Sequence, residues 1–246
     1  MTLANSPHAG AASVTERCGD HEEPLLKRRS QSGFSLPEIM IVVAILGIGA
    51  ALTVPTWNRM QTNARAKTTA RMISNAFQSA RAHAILSEEN HVVLWTAVAP
   101  DDACNNPLPG PIVILADANA NCCIDAGEDV LAVSPDPAED FGGLNWGTTF
   151  ATGPVPEDGG GGAHTTGSSF SDPAGTQTHW VAFRGDGVPV GFSNACAIGQ
   201  VGTGAGGIYV TNGAVEDGQR DYAVILSALG VPKVYSWDAR AGSWTN

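Results

Sequence analysis

Positive charge is scarce through most of this sequence. After residue 82 the only Lys and Arg residues are Arg184, Arg220, Lys233 and Arg240, in a chain of formal charge -11. Such a surface repels phosphate backbones, so nucleic acid is an unlikely partner on charge alone. Catalytic constellations are also missing. His83 and His91 straddle a predicted helix end, and His164 and His179 flank a polar stretch. Neither pair has a spacing that converges on a metal or a nucleophile. The glycine run 159–162 precedes no helix and no Lys-Ser/Thr pair, so it is not a phosphate cradle. Adjacent Cys122 and Cys123 lack the C-x-x-C spacing that lets two thiolates meet on zinc. The residues therefore imply no enzyme and no certain cofactor.

What is present points to one modest β-rich domain behind a hydrophobic N-terminal element. The 29 Gly and 15 Pro, in a chain that is 43% hydrophobic, favour a single core with long loops. Residues 1–33 mix small residues with four bases (Arg17, Lys27, Arg28, Arg29) and four acids (Glu16, Asp20, Glu22, Glu23), without periodicity. They read as a leader whose removal leaves the charge unchanged. From Ile39 to Val54 there is no charged residue, and the apolar run reaches outward to Phe34, Leu36 and Trp57. That gives one membrane helix over 34–57, close to the roughly 20 residues a span needs. Basic residues precede it and none follows before Arg59, so the leader side is expected in the cytoplasm and the remainder outside the inner membrane. A secretory signal fits less well, because its basic region would be unusually long and Glu38 opens the apolar run.

Past Pro55, residues Ala66, Ala70, Ile73, Phe77, Ala80 and Ala84 recur at helical spacing. They predict an amphipathic helix over 58–90 with one narrow buried face, stopping near Asn90. Strands are expected at 91–95, 111–116, 129–133, 180–183, 188–192, 207–211, 222–227 and 234–237, with hairpins at Gly185-Asp186-Gly187 and Leu229-Gly230. Residues 134–178, rich in Pro, Gly, Ser and Thr, read as a long surface excursion.

The most specific motif is Gly33-Phe34-Ser35-Leu36-Pro37-Glu38, lying between the basic leader and the apolar run. It resembles the class III prepilin signal of type IV pilin-like proteins. The resemblance implies cleavage by prepilin peptidase after Gly33, methylation of the new amine of Phe34, and an assembly role for Glu38. Pro55, the 22nd residue counted from Phe34, matches the proline that bends many such helices. Farther on, Ala80-Arg81-Ala82-His83-Ala84-Ile85, Val92-Val93, Val181-Ala-Phe183-Arg-Gly185, Gly207-Ile-Tyr-Val210 and Tyr222-Ala-Val-Ile225 are similar to the GspH/FimT branch. So is Asp117-Ala-Asn119-Ala-Asn121-Cys-Cys-Ile-Asp125-Ala-Gly127-Glu128. The long leader, the expanded 134–178 segment and Gly230-Val231-Pro232-Lys233 depart from that branch's pattern.

The Asp117–Glu128 stretch permits two readings. Oxygens on Asp117, Asn119, Asn121, Asp125 and Glu128 match calcium-loop positions, but Cys122 stands where an EF-hand has glycine. The alternative is an Asx turn between strands. Cys18 lies in the leader, which leaves Cys104, Cys122, Cys123 and Cys196. This even number suits an oxidising compartment, and neighbours Cys122 and Cys123 are poor partners for each other. The remaining pairings stay open, as does a set of buried thiols.

The expected architecture is α+β and pilin-like: a long N-terminal helix, transmembrane in its first half, packed on an antiparallel head over 91–246. The resemblance implies a minor pilin or pseudopilin anchored in the inner membrane by one span, its head in the periplasm. Its partners would be prepilin peptidase and other pilins, in a type IV pilus or a type II secretion pseudopilus. A DNA-uptake pilin is the alternative from another class, and the acidic head speaks against it.

Overall fold

The computed structural model describes residues 33–95, 104, 108, 110–125, 128, 130–134, 144–158, 164–213 and 220–246, without the side chains of 52, 54–56, 58, 59 and 131–134. Residues 1–32 of the predicted leader 1–33 and the side chain of Pro55 therefore lie outside the described residues. The chain divides into two units, Met1–Ile48 and Gly49–Asn246. One helix, α1, covers Leu36–Ser87. Among the described residues, no helix is long and apolar enough to cross a membrane.

In the second unit, α1 ends one turn before Asn90. Ser87 Oγ donates to the His83 carbonyl at 3.0 Å, and Glu88 takes a left-handed φ of 60°. A residue in that conformation closes helices whose last carbonyls need new partners. The chain then turns directly into β1 (His91–Trp95).

Two antiparallel five-stranded sheets follow, where the sequence led us to expect one. The first has the order β3-β2-β1-β5-β6, with β2 at Ile112–Ala116, β3 at Val130–Ser134, β5 at Trp180–Phe183 and β6 at Pro189–Val190. The second has the order β10-β9-β8-β7-β4. Its strands are β4 (Asn145–Trp146), β7 (Gly206–Thr211), β8 (Tyr222–Leu226), β9 (Pro232–Asp238) and β10 (Ser243–Thr245). Both expected hairpins form. Arg184 N donates to the Val188 carbonyl across one, and Ser227 N to the Val231 carbonyl across the other. Gly187 and Gly230 supply φ values of 77° and 74°, which L-residues seldom adopt.

Strand alternation explains why so many of these strands are apolar at every position. In β1, Val93 and Trp95 join the helix stripe Ala66, Ala70, Ile73, Phe77, Ala80 and Ala84. Val92 and Leu94 point to the opposite face, where Leu115, Cys122, Ala182, Val190 and Phe192 cover them. The second sheet repeats the scheme. Ile208, Val210, Val224 and Leu226 face the helix, while Tyr209, Ala223, Ile225 and Tyr235 pack outward with Val155. A sheet buried on both faces needs apolar residues at odd and even positions alike.

The segment 134–178 is a correction to the surface reading. Residues 135–143 and 159–163 lie outside the described set, but the rest supplies β4 and much of the packing. Leu144 and Phe170 enter the helix-facing core, and Val155 seals the outer face of the second sheet. Asp221, wholly buried, holds the segment by accepting from the amides of Thr149, Phe150 and Ala151 at 3.0, 2.7 and 2.7 Å. Asp158 holds it a second time, accepting from Ser169 Oγ at 2.6 Å and from Tyr209 O–H at 2.5 Å. Isolated apolar residues among Gly, Ser and Thr have no period to reveal them, and partners such as Phe77 and Trp95 for Phe170, or Tyr209 for Val155, are more than 50 residues away.

Phe77 sits at the meeting point, with ring centroids 6.3 Å from Trp95, 5.9 Å from Phe170 and 6.3 Å from Phe183. Phe77→Ala should destabilise the protein by about 3–5 kcal/mol, because the rigid sheets on either side cannot close the cavity. Chemical denaturation checks this, and a loss under about 1 kcal/mol would contradict the packing described.

Candidate functional site

The predicted processing site is at the start of α1. Gly33 is exposed and non-helical, Phe34 is 75% exposed, and the Ser35 carbonyl accepts from the amides of Glu38 at 3.0 Å and Ile39 at 3.2 Å. The helix therefore opens just after the Gly33–Phe34 bond, which itself stays in accessible, non-helical chain. Pro37 falls in the first turn, where a missing N–H costs no helical hydrogen bond. Glu38 also lies in the first turn, where the helix macrodipole favours a carboxylate.

Beyond Glu38, the side chains of Ile39, Met40, Ile41, Val42, Val43, Ile45, Leu46 and Ile48 are between 48% and 66% exposed. Five of them are consecutive, and at about 100° per residue they sweep more than a full turn. This end of the helix has no polar face. Among the described residues of its unit, none covers it.

The second sequence-predicted site, Asp117–Glu128, is a compact turn after β2. Asp117, 3% exposed, accepts from the amides of Asn121 and Cys122, both at 3.1 Å. Asn119 Oδ1 accepts from Asn121 N at 3.0 Å, and Asn121 Oδ1 from Cys123 N at 2.9 Å. These backbone donors fix which way each amide points. Both NH2 groups consequently face Asp125 Oδ2, at 2.9 Å from Asn119 and 2.5 Å from Asn121. Glu128 Oε2 accepts from Asp125 N at 3.2 Å. All five predicted residues are brought together as an Asx-type network in which Asp117, Asn119, Asn121, Asp125 Oδ2 and Glu128 Oε2 already meet N–H groups, while Glu128 Oε1 is buried without a partner among the described residues. A cation at its centre would face amide hydrogens unless both amides turned over and abandoned their backbone partners.

Two disulfides brace this turn, Cys104–Cys123 and Cys122–Cys196. Asp117 also lies near the sulfurs of Cys122 and Cys196. Those sulfurs are bonded to each other, so they offer no thiolate to a metal. The two aspartates titrate in opposite directions. Burial raises the pKa of Asp117, partly offset by its backbone donors, whereas the amides of Asn119 and Asn121 lower that of exposed Asp125.

Sequence reasoning missed one further feature, a cavity beside Trp180 lined by Asp172, Thr176, Gln177, Thr178, Ser193, Asn194 and Ala195. No motif marks it, because two separate turns and a strand end build it.

Comparisons with known proteins place the N-terminus. Residues 28–54 match the prokaryotic N-terminal methylation motif. A stretch of 30 residues is 70% identical to the type II secretion system core protein G of Pseudomonas aeruginosa. It covers 12% of this chain and 21% of that protein, so the match extends over about a fifth of the relative's length. No solved structure matches the chain. The chain thus carries a type IV pilin-like, pseudopilin-type N-terminal segment.

Calorimetry with millimolar calcium should register no binding heat if the turn is closed by its own hydrogen bonds. Heat that disappears in Asp117→Ala would overturn that description. Carboxyl-detected NMR titration should place Asp117 above and Asp125 below the ordinary value of about 3.9. The stability Asp117 contributes is complete below that value and is lost as pH rises through its raised folded pKa. For Asp125 it is present above the value and lost as pH falls through the lowered one.

Proposed function

We propose that the chain is the precursor of a minor pilin or pseudopilin of the GspH/FimT type, cut after Gly33, methylated on Phe34 and assembled into a type IV pilus or a type II secretion pseudopilus. The observation that carries the reading is the methylation motif at 28–54, running into a helix whose apolar side chains are uncovered on every side. Apolar surface of that extent is unfavourable in water, at roughly 25 cal/mol for each Å². Lipid tails before assembly, and neighbouring helices after it, are the two surroundings that would cover it. In this reading residues 34–57 span the inner membrane once, although the described part of the helix alone does not reach the length and apolarity of a span. The work of the protein is then mechanical rather than enzymatic. The helix enters a helical bundle, and the head, reinforced by two disulfides that suit the periplasm, presents a surface to other subunits or to exported cargo.

Glu38 is the assembly residue in this mechanism. A carboxylate at a helix start near the membrane interface is costly in apolar surroundings, less so than at mid-bilayer, where insertion scales give about 2.5–3.5 kcal/mol. The amine of Phe34 on a neighbouring processed subunit would offset that cost. Such a pair selects register and processing state more than it adds stability.

Mass analysis of the membrane-extracted protein should find a mature chain that begins with methylated Phe34, and any other start rejects the cleavage assignment. Glu38→Gln should be inserted and cut normally yet co-purify with partner pilins at a small fraction of the wild-type level. Wild-type assembly of that variant would remove the charge-pair mechanism while leaving the processing assignment intact.

A further inference from the structure

The cavity beside Trp180 measures about 480 Å³ and is built from three rigid pieces. One rim is the turn Asp172–Thr176. Asp172 Oδ1 accepts from the amides of Ala174 at 2.9 Å and Thr176 at 2.7 Å, and Asp172 N donates to the Thr176 carbonyl at 2.8 Å. The opposite rim is the turn Ser193–Ala197, closed by Cys196 N to the Ser193 carbonyl at 2.8 Å and Ala197 N to Ser193 Oγ at 3.2 Å. The Cys122–Cys196 disulfide pins it to the Asp117–Glu128 turn. Trp180 stands between the two rims. Its indole N–H donates to the Phe192 carbonyl at 2.9 Å, and its ring leans on wholly buried Phe192 with centroids 5.8 Å apart and an interplanar angle of 31°. One face of the indole is thereby fixed against the core, and the side chain cannot rotate out of the cavity without losing both contacts.

The turns that carry the polar groups around that indole are held in place, and the groups themselves are left unused by the fold. With Oδ1 committed to the turn, the second carboxylate oxygen of Asp172 has no hydrogen-bond partner among the described residues. Among the described residues, the Asn194 amide and the Thr176 hydroxyl have none either. Gln177, by contrast, spends its amide on Thr166 Oγ1 and the Ser168 carbonyl. The cavity therefore offers a flat apolar face, an acceptor-only carboxylate, an amide that both donates and accepts, and a hydroxyl. A volume of several hundred Å³ with a few convergent polar groups is the form of a small-molecule site.

From this arrangement we propose that the cavity binds a neutral pyranose sugar, stacked by its C–H face on Trp180 and hydrogen-bonded through adjacent hydroxyls to Asp172 and Asn194. A pyranose combines an apolar ring face with a rim of hydroxyls that donate and accept, which is the complement of these groups. The single carboxylate and the acidic head exclude a sugar acid, because like charges in a partly enclosed site repel. A quaternary ammonium ligand would require several aromatic walls, and here there is one. The site lies in the head and does not depend on how the N-terminus is processed.

Saturation-transfer NMR on the full-length protein tests the proposal, using the methyl glycosides of glucose, galactose and N-acetylglucosamine, with methyl glucuronide and choline as counter-probes. At least one neutral glycoside should show transfer strongest at its ring C–H protons. Asp172→Asn keeps the Oδ1 acceptor of the turn and replaces only the free oxygen. Asn194→Ala removes an exposed side chain that has no hydrogen-bond partner among the described residues. Each should weaken binding about tenfold without changing the melting temperature. Trp180→Ala should abolish binding, but because it also uncovers Phe192 the two rim variants carry the decision. Comparing the methyl glycosides with their β-linked trisaccharides separates a free sugar from a polymer, the latter gaining at least about tenfold in affinity. Absence of transfer from all three neutral glycosides, undiminished binding in both rim variants, or preference for glucuronide or choline would each overturn the assignment.

Discussion

The head depends on one helix face made narrow enough to serve two sheets at once. Ala66, Ala70, Ala80 and Ala84 bring the backbone of α1 close to both, and the larger Ile73 and Phe77 fill the space between. A broader stripe would hold the sheets apart, and a narrower one would leave a seam. Phe77 is the fixed point, since Trp95 and Phe183 come from the first sheet while Phe170 comes from a segment lying against the second. Tight packing of this kind leaves little room for adjustment, so the orientation of each sheet follows from the helix face.

Where apolar packing thins out, buried carboxylates and disulfides take over. Asp221 and Asp158 each tie residues of the 144–170 region to the second sheet by charge-assisted hydrogen bonds, which are stronger than neutral ones. Tyr209 shows how strongly that environment acts. Desolvation and the neighbouring Asp158 carboxylate push its hydroxyl pKa far upward, so it remains a donor under all ordinary conditions. On the first sheet the corresponding fasteners are covalent. Cys122 and Cys123, adjacent in the chain, reach in different directions to Cys196 and Cys104, and the left-handed φ of 62° at Cys122 belongs to this divergence.

The two units solve opposite problems. The N-terminal part of α1 leaves apolar side chains exposed on every side, which lipid or neighbouring helices would cover in the function proposed above. The head instead buries both faces of its central strands and, apart from buried Asp117 and Asp221, keeps most of its described acidic groups at the surface. The surfaces it leaves open, the Trp180 cavity among them, rest on turns held by hydrogen bonds or a disulfide. They can therefore present polar groups in fixed positions without the ordering cost a flexible loop would incur.

Local chemistry made much of this legible in the sequence. The methylation motif could be read because its residues, and those that open the helix, are neighbours in the chain. The helix stripe could be read because a period of 3.6 repeats in the chain itself. Most strands and both hairpins were visible through apolar runs and turn glycines, for the same reason. What the sequence could not contain is which distant groups meet. The split into two sheets, the burial of Phe170 and Leu144 within a polar stretch, the disulfide pairing, and the orientation of Asn119 and Asn121 toward Asp125 all rest on contacts between separate turns and strands. So does the cavity at Trp180, whose Asp172 and Asn194 are unremarkable in sequence and acquire chemistry only when two turns close on one indole. Short-range periodicity and motif spacing are properties of the chain, but burial, pairing and convergence are properties of the packed core, and only the tertiary structure decided them.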